Sequence, residues 1–333
     1  MCTVMVANYN GSGMIESCLR SVFGQRCSFD FEVIVHDDAS TDDSARLIRE
    51  QFPDVRLIAS PENVGFCIAN NRMAAVARGR YLLLLNNDAE LFPDALTTLR
   101  AAATTEGDDA VLGLPEYDLR TRALVARGHW LDPFLNPVPN LDPGCEEVAM
   151  VIGACLWLPR RLWSEVGGFP EWFGSIAEDM HLCTRARLQG HPVRVPARSG
   201  YWHASGASFG GGKVVAGRLS TTVRRRALSE RNKTFVMLTC YPTPLLQAVL
   251  PFHLLWLLAE GAILALVKRD AALWRRIYGS VFGAIWRQRG DWIRERRTIQ
   301  ARRRVGVLSF LRPFVAFPYK LRMLFRHGIP EVK

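Results

Sequence analysis

Four leucines in Tyr81–Leu85 run straight into Asn86-Asn87-Asp88. A carboxylate at the end of an apolar strand can hold a divalent ion against a diphosphate, and oxygen ligands suit Mg²⁺ or Mn²⁺. The same residues could instead close an Asx-turn. Asp37-Asp38 follow a second apolar run, Phe31–His36, and precede Ala39-Ser40-Thr41-Asp42. Paired carboxylates there can accept hydrogen bonds from a nucleobase or a ribose. They can also cap the next helix, a task open to Ser40 or Asp42 as well. Glu178-Asp179 open a helical segment after the aromatic, glycine-rich stretch Gly167–Gly174. Carboxylates in a first turn commonly meet the helix dipole; one of them could also take a proton from an acceptor hydroxyl as general base. His203, in Tyr-Trp-His-Ala-Ser-Gly, is either a structural histidine or a metal ligand. The arginine groups Arg224–Arg226, Arg294–Arg297 and Arg302–Arg304 read as solvated faces, unless one clamps a phosphate.

The elements that must position these groups follow from periodicity. Cys2–Ala7, Phe31–His36, Val55–Ala59 and Tyr81–Leu85 are short apolar runs, read as buried strands. Met14–Phe23, Ser44–Gln51, Cys67–Arg78, Pro93–Ala103 and Asp179–Gln189 carry helical spacing. Val148–Leu158 reads as a further strand, Leu131–Gly144 as a proline-rich irregular stretch, and Ser205–Gly212 as a flexible loop. Strands alternating with helices predict βαβ units and a mostly parallel sheet. Right-handed crossovers place Asn8–Gly13, Asp37–Asp43, Ser60–Gly65 and Asn86–Glu90 on one edge, the carboxyl edge where open α/β sheets bind ligands.

Composition narrows the class. The 333 residues are 49% hydrophobic and 22% charged, a globular balance that excludes wholesale disorder, collagen and coiled coil. Eight cysteines form no CxxC pair, which argues against a zinc module. The first residues lack a basic stretch followed by an apolar one, so a cytoplasmic, reducing setting is expected. The net charge of +10 is unevenly spread. Residues 1–212 hold 18 Lys+Arg and 26 Asp+Glu, whereas 213–333 hold 24 and 6. The basic part is also apolar: Leu245–Val267 is 23 residues long, with Pro251, His253 and Glu260 inside it. Leu273, Ile277, Val281 and Ile285 recur every fourth residue beside Trp274, Tyr278, Phe282 and Trp286. Trp interleaved with Arg is membrane-interface composition, so an anionic membrane surface is the expected partner and nucleic acid is not. The interior acid argues against a simple span. A basic tail that belongs on the cytoplasmic side, joined to a body expected in the same compartment, argues against a single crossing. A re-entrant or interfacial helical pair is expected, with 273–286 as an amphipathic interfacial helix.

Seven motifs in order carry a resemblance: VMVANYNGSGMIESCLRSV, VIVHDDASTDDS, PENVGFCIANNRM, YLLLLNNDAEL, VIGACLWLPRRLWSEVGGFPEWF, AEDMHLCTRARLQG and the histidine of YWHASG. From Val4 to about Pro242 the chain resembles glycosyltransferase family 2, most of all its bacterial rhamnosyltransferase-like members. The resemblance implies a GT-A fold, a Rossmann-like α/β domain over 1–242, with 243–333 as a basic helical region for membrane association. It implies an inverting, metal-dependent transfer of one sugar to a lipid-linked or surface-glycan acceptor, in polysaccharide or cell-envelope synthesis at the cytoplasmic face of the membrane. The expected donor is a dTDP- or UDP-sugar, with rhamnose the expected sugar and Mn²⁺ or Mg²⁺ the metal. Position by position, Ala7, Tyr9, Asp38, Asn63, Gly65 and Asn87 would lie along the donor nucleotide. Asp88 and His203 would hold the metal, and Asp179, with Glu178 beside it, would be the base. The chain departs from the pattern in Asn-Asn-Asp for DxD, in His181 where relatives carry an acid, and in lacking the QxxRW of processive synthases. A non-catalytic nucleotide-sugar-binding scaffold at the membrane is the competing class.

Overall fold

The structure, a computed structural model, describes residues 1–204, 211–215, 218–328 and 331–333. These divide into two compact units. The first comprises Met1–His129, Pro139–Arg187 and His191–Ser205; the second comprises Trp130–Val138, Leu188–Gly190 and Gly206–Lys333.

In the first unit the apolar runs become strands β1 (Cys2–Asn8), β2 (Phe31–Asp37), β3 (Arg56–Ala59) and β4 (Tyr81–Asn86). They are parallel, in the order β4-β1-β2-β3. Helices α1 (Ile15–Phe23), α2 (Ser44–Gln51) and α3 (Phe66–Val76) make the crossovers. Continuous apolar sequence suits strands buried on both faces, and Val4, Val6, Val33, Val35, Leu83 and Leu85 all lie in the core. Gly79 lets the chain pass tightly into β4, since a Cβ there would stand 2.5 Å from the Thr3 nitrogen. The register matters for function. Asn8 pairs with Asp37 and Ala7 with Asn86, so the carboxyl ends of β1, β2 and β4 finish level.

Beyond β4 the chain adds β5 (Ala89–Leu91), α4 (Ala95–Thr105), β6 (Val111–Leu112), β7 (Glu116–Asp118) and β8 (Leu124–Ala126). It leaves the first unit within β9 (His129–Leu131) and returns within β10 (Pro137–Pro139). There follow β11 (Cys155–Pro159), α5 (Arg160–Val166), α6 (Glu178–Leu188), β12 (Val193–Arg194) and β13 (Tyr201–His203). β11 runs antiparallel to β4, and β6 and β12 extend that edge. The expected strand over 148–158 is therefore only its second half. Val148–Ala154, buried except for half-buried Ile152, are irregular, because their backbone bonds go to single partners such as His129 and Val193. A second sheet, β5-β13-β7-β8, was not anticipated.

The second unit is helical: α7 (Val223–Cys240), α8 (Thr243–Lys268), α9 (Ala271–Leu273), one π-helical turn (Trp274–Gly279), α10 (Ser280–Arg287), α11 (Arg289–Ala301), α12 (Val307–Leu311) and α13 (Tyr319–His327). A small sheet joins β14 (Gly211–Val215), β15 (Arg218–Thr221) and β16 (Glu331–Val332). Two expectations change here. The apolar segment forms one continuous 26-residue helix, which removes the re-entrant alternative and leaves the interfacial one. Leu273, Ile277 and Val281 are buried against Leu257 and Leu264 of α8, so that stripe meets a helix of its own unit, not a membrane. Periodicity shows that a face is apolar without showing what covers it. Of the expected flexible loop, residues 205–210 lie outside the described residues, while Gly211 and Gly212 belong to β14.

Candidate active site

The polar groups of the site gather where β1, β2 and β4 end. Asn8 is fully inside, and its Nδ2 donates to Asp37 Oδ1 at 2.9 Å and to Ser44 Oγ at 2.9 Å. Asn87 Nδ2 in turn donates to Asn8 Oδ1 at 2.9 Å. Asp37 Oδ1 also accepts from Ser40 Oγ at 2.6 Å. One buried chain of bonds thus ties the ends of three strands together, and such a network holds only when each member is satisfied. Gly11 lies directly on it: a Cβ there would come within 2.3 Å of Asn8 Oδ1 and 2.4 Å of Asn87 Nδ2. The sequence places Asn8 in an edge loop but gives no sign of its tying role, since its partners Asp37, Ser44 and Asn87 lie on other elements.

Asp38 reaches the next loop. Its two oxygens accept from the amides of Val64 (2.8 Å) and Gly65 (2.9 Å). Gly65 has φ +87°, a backbone state glycine adopts at no steric penalty. Asp38 therefore shapes the Pro61–Gly65 loop as well as lining the strand edge. Tyr9 and Asn63 are exposed, and Ala7 is half-buried.

The strand pairing of the second sheet explains the next cluster. β13 lies between β5 and β7, setting His203 opposite Ala89 and Tyr201 beside Glu116. The Ala204 amide donates to the Asp88 carbonyl at 3.0 Å. His203 Nε2 faces Asp88 Oδ1 at 3.2 Å, and His203 Nδ1 donates to Glu116 Oε1 at 2.7 Å. All three side chains are buried. Burial disfavours the imidazolium, but the hydrogen bonds and charges of Asp88 and Glu116 outweigh it and raise the His203 pKa to about 9. Glu116 carried no sequence signal, because it lies on a three-residue strand 87 positions from its histidine.

Glu178 and Asp179 open α6, as expected. Asp179 Oδ2 accepts from the Gly153 amide at 3.0 Å and Oδ1 from the Met180 amide at 2.6 Å. Gly153 precedes β11, whose Cys155 pairs with Leu85 of β4, so Asp179 is tied to the strand that lies beside β4, the strand Asp88 follows. Ile176 and Ala177 just before have φ +71° and +67°. A β-branched residue in that region is strained, and such strain is held only where the surroundings enforce it. His181, where an acid was expected, is fully buried and packs on Phe173 with ring centroids 5.1 Å apart. Burial holds its pKa well below the usual value.

An oxygen and an imidazole nitrogen, buried and facing, form a donor pair suited to a divalent ion. Among the described residues no group of three metal-ligating side chains occurs. The pair therefore fits an ion only if further positions come from substrate oxygens and water, which is how Mg²⁺ is commonly bound beside phosphates.

Comparison with known proteins bears on the fold and the family. Residues 3–166 match the family described as Glycosyl transferase family 2. The succinoglycan biosynthesis protein ExoO of Rhizobium meliloti is 35% identical over 124 residues, 37% of this chain and 35% of that protein. The chain spans about a third or less of the length of the first curated relatives it matches. A crystal structure of S. aureus TarS 1-349 in complex with UDP superposes with TM-score 0.53 at 18% identity, over 90% of both chains. The mannosyltransferase PcManGT of Pyrobaculum calidifontis, in complex with GDP-Man and Mn²⁺, gives TM-score 0.53 at 20% identity, over 90% of this chain and 85% of that one. The fold is GT-A, and residues 3–166 are those that match the glycosyl transferase family 2 description.

Proposed function

We propose that this chain is an inverting glycosyltransferase of family 2 that moves one sugar from a nucleotide-diphosphate donor to an acceptor hydroxyl. The observation that carries the reading is that Asp38, Asn87 and Asp88 follow the level carboxyl ends of β2 and β4, with His203 3.2 Å from Asp88 and Asp179 bonded to Gly153 just before β11. Ala7, Tyr9, Asp38, Asn63 and Gly65 would receive the nucleotide. Asp88 and His203 would hold Mn²⁺ or Mg²⁺, which when bound offsets the charge of a leaving diphosphate. Asp179 is the general base: it takes the proton of the acceptor hydroxyl as that oxygen attacks the anomeric carbon, and Glu178 is its neighbour in the first turn. With one base and no protein nucleophile the displacement is single, which inverts the anomeric centre. Rhamnose from a dTDP donor is the sugar the motif resemblance favours, with a UDP-sugar as the other choice.

The acceptor is read as a lipid-linked or surface glycan, and the second unit as the part that holds the enzyme to the cytoplasmic face of an anionic membrane. Two features support this: the excess of Lys and Arg after residue 212, and α8, the one described helix long and apolar enough to cross a membrane. The decisive experiment is Asp179→Asn. Turnover should fall about 10²–10⁴-fold, the usual worth of a positioned base, with donor affinity kept. Unchanged turnover would remove Asp179 from that role.

A further inference from the structure

Helix α8 has two opposite faces, and each is explained by a different partner. Its inner face, His253, Leu257, Gly261 and Leu264, is buried against helices of its own unit. The approach is close: a Cβ on Gly261 would lie 2.6 Å from the Trp274 ring and 2.8 Å from that of Tyr278. Two polar groups on this side are tied to neighbouring helices. His253 Nε2 lies 2.9 Å from Thr234 Oγ1 of α7. Glu260 pairs with Arg226 of α7 at 2.6 Å and with Lys320 of α13 at 2.8 Å. The outer face carries Phe252, Leu255, Leu258, Ile263, Leu266 and Val267, which are 40–77% exposed. Phe252, Leu255 and Leu258 follow at three-residue spacing, as do Ile263 and Leu266, so with Val267 they form one broad face along the helix. From Ala248 to Val267 that stripe holds no charged residue, and Lys268 and Arg269 follow at its end. At 1.5 Å per residue it is about 30 Å long.

A soluble core helix would bury most of its surface, yet only 22% of the apolar window of α8 is buried. A helix that crosses a bilayer alone would be apolar all round, and α8 is not. To cross, it would have to leave Arg226, Lys320 and Thr234 behind and carry Glu260 and His253 into hydrocarbon without them.

We propose that α8 lies in the plane of an anionic membrane, its outer stripe sunk at the headgroup–acyl boundary while its inner face stays packed on its own unit. The inference rests on the membrane-surface reading of the second unit and settles its geometry. Lys268 and Arg269, both exposed at the end of this face, supply the complementary charge.

The test is flotation of the full chain with preformed vesicles of phosphatidylcholine and phosphatidylglycerol in equal parts. Wild type should float, and alkaline carbonate should strip it. Leu255→Asp combined with Leu266→Asp should weaken partition at least ~10-fold with thermal midpoint and donor binding unchanged. As a second readout, vesicles with brominated acyl chains should quench wild-type tryptophan fluorescence more than that of Trp256→Phe, whose replaced ring is only half-buried on α8. Resistance to carbonate, equal flotation of the double variant, or equal quenching of the two proteins would overturn the in-plane geometry while leaving membrane binding intact. Failure of wild type to float would overturn the membrane reading itself. A dimer that the double variant splits would assign the stripe to a second copy of this chain.

Discussion

The pairing of His203 with two carboxylates predicts how stability responds to pH in metal-free protein. Its pKa in the folded state is about 9, against 6.5 when unfolded. A raised pKa means that the folded state binds the proton more tightly. The contribution is therefore complete below pH 6.5 and is lost as pH rises through 9. At about 1.36 kcal/mol per tenfold change in proton affinity the whole effect is about 3 kcal/mol, of which about 2 kcal/mol disappears between pH 6 and 8. His203 is buried, so solvent screening removes little of it. The upper limit of the window is set by buried thiols such as Cys2 and Cys18, which burial pushes far up and which add their own slope at higher pH. The assay is urea unfolding in EDTA at pH 6, 7 and 8 for wild type and for His203→Gln. The difference between the two curves should shrink by about 2 kcal/mol over that range. Parallel curves would refute the reasoning, since they would mean that the carboxylates do not hold a proton on His203. A divalent ion must displace the same proton, so Mn²⁺ affinity should climb about tenfold per pH unit across this interval.

Other substitutions probe the scaffold beneath the site. Asp38→Ala removes the acceptor for two loop amides and should cost about 3 kcal/mol in denaturant unfolding, with donor affinity falling alongside. Gly11→Ala drives a methyl into the Asn8–Asn87 bond; calorimetry should show donor binding weakened at least ~10-fold for an overpacking penalty of about 1–3 kcal/mol. Glu230→Ala leaves Lys233 buried beside Lys320 without its carboxylate partner and should destabilise the second unit by about 3–5 kcal/mol in thermal unfolding.

The parallel sheet was legible because Cys2–Asn8, Phe31–Asp37 and Tyr81–Asn86 are apolar on both faces, and strands of that kind read as uninterrupted runs. The carboxylates at their ends were legible for the same reason: polar residues that abruptly end a buried strand must lie at its edge. Asp88 and His203 were paired through resemblance, and the structure does bring them together. Their mutual orientation was not legible. It depends on β5, β7 and β13, three-residue strands too short to show a period, and on Glu116, whose partner is remote in sequence. Asn8 was hidden by its setting, a buried amide whose role comes from Asp37, Ser44 and Asn87 on other elements. In the second unit, spacing revealed both the Leu273–Val281 stripe and the apolar length of α8. Which of them faces the other and which faces outward is decided by packing, and Gly261, small enough for Trp274 and Tyr278 to close on it, marks the inner side only once the helices are assembled.

Donor binding tests the central claim most directly. Calorimetry of the full chain against UDP-, GDP- and dTDP-sugars with Mn²⁺, repeated in EDTA, should find one donor whose binding requires the metal and is lost in Asp88→Ala. Folded protein that binds none of these donors would contradict the account.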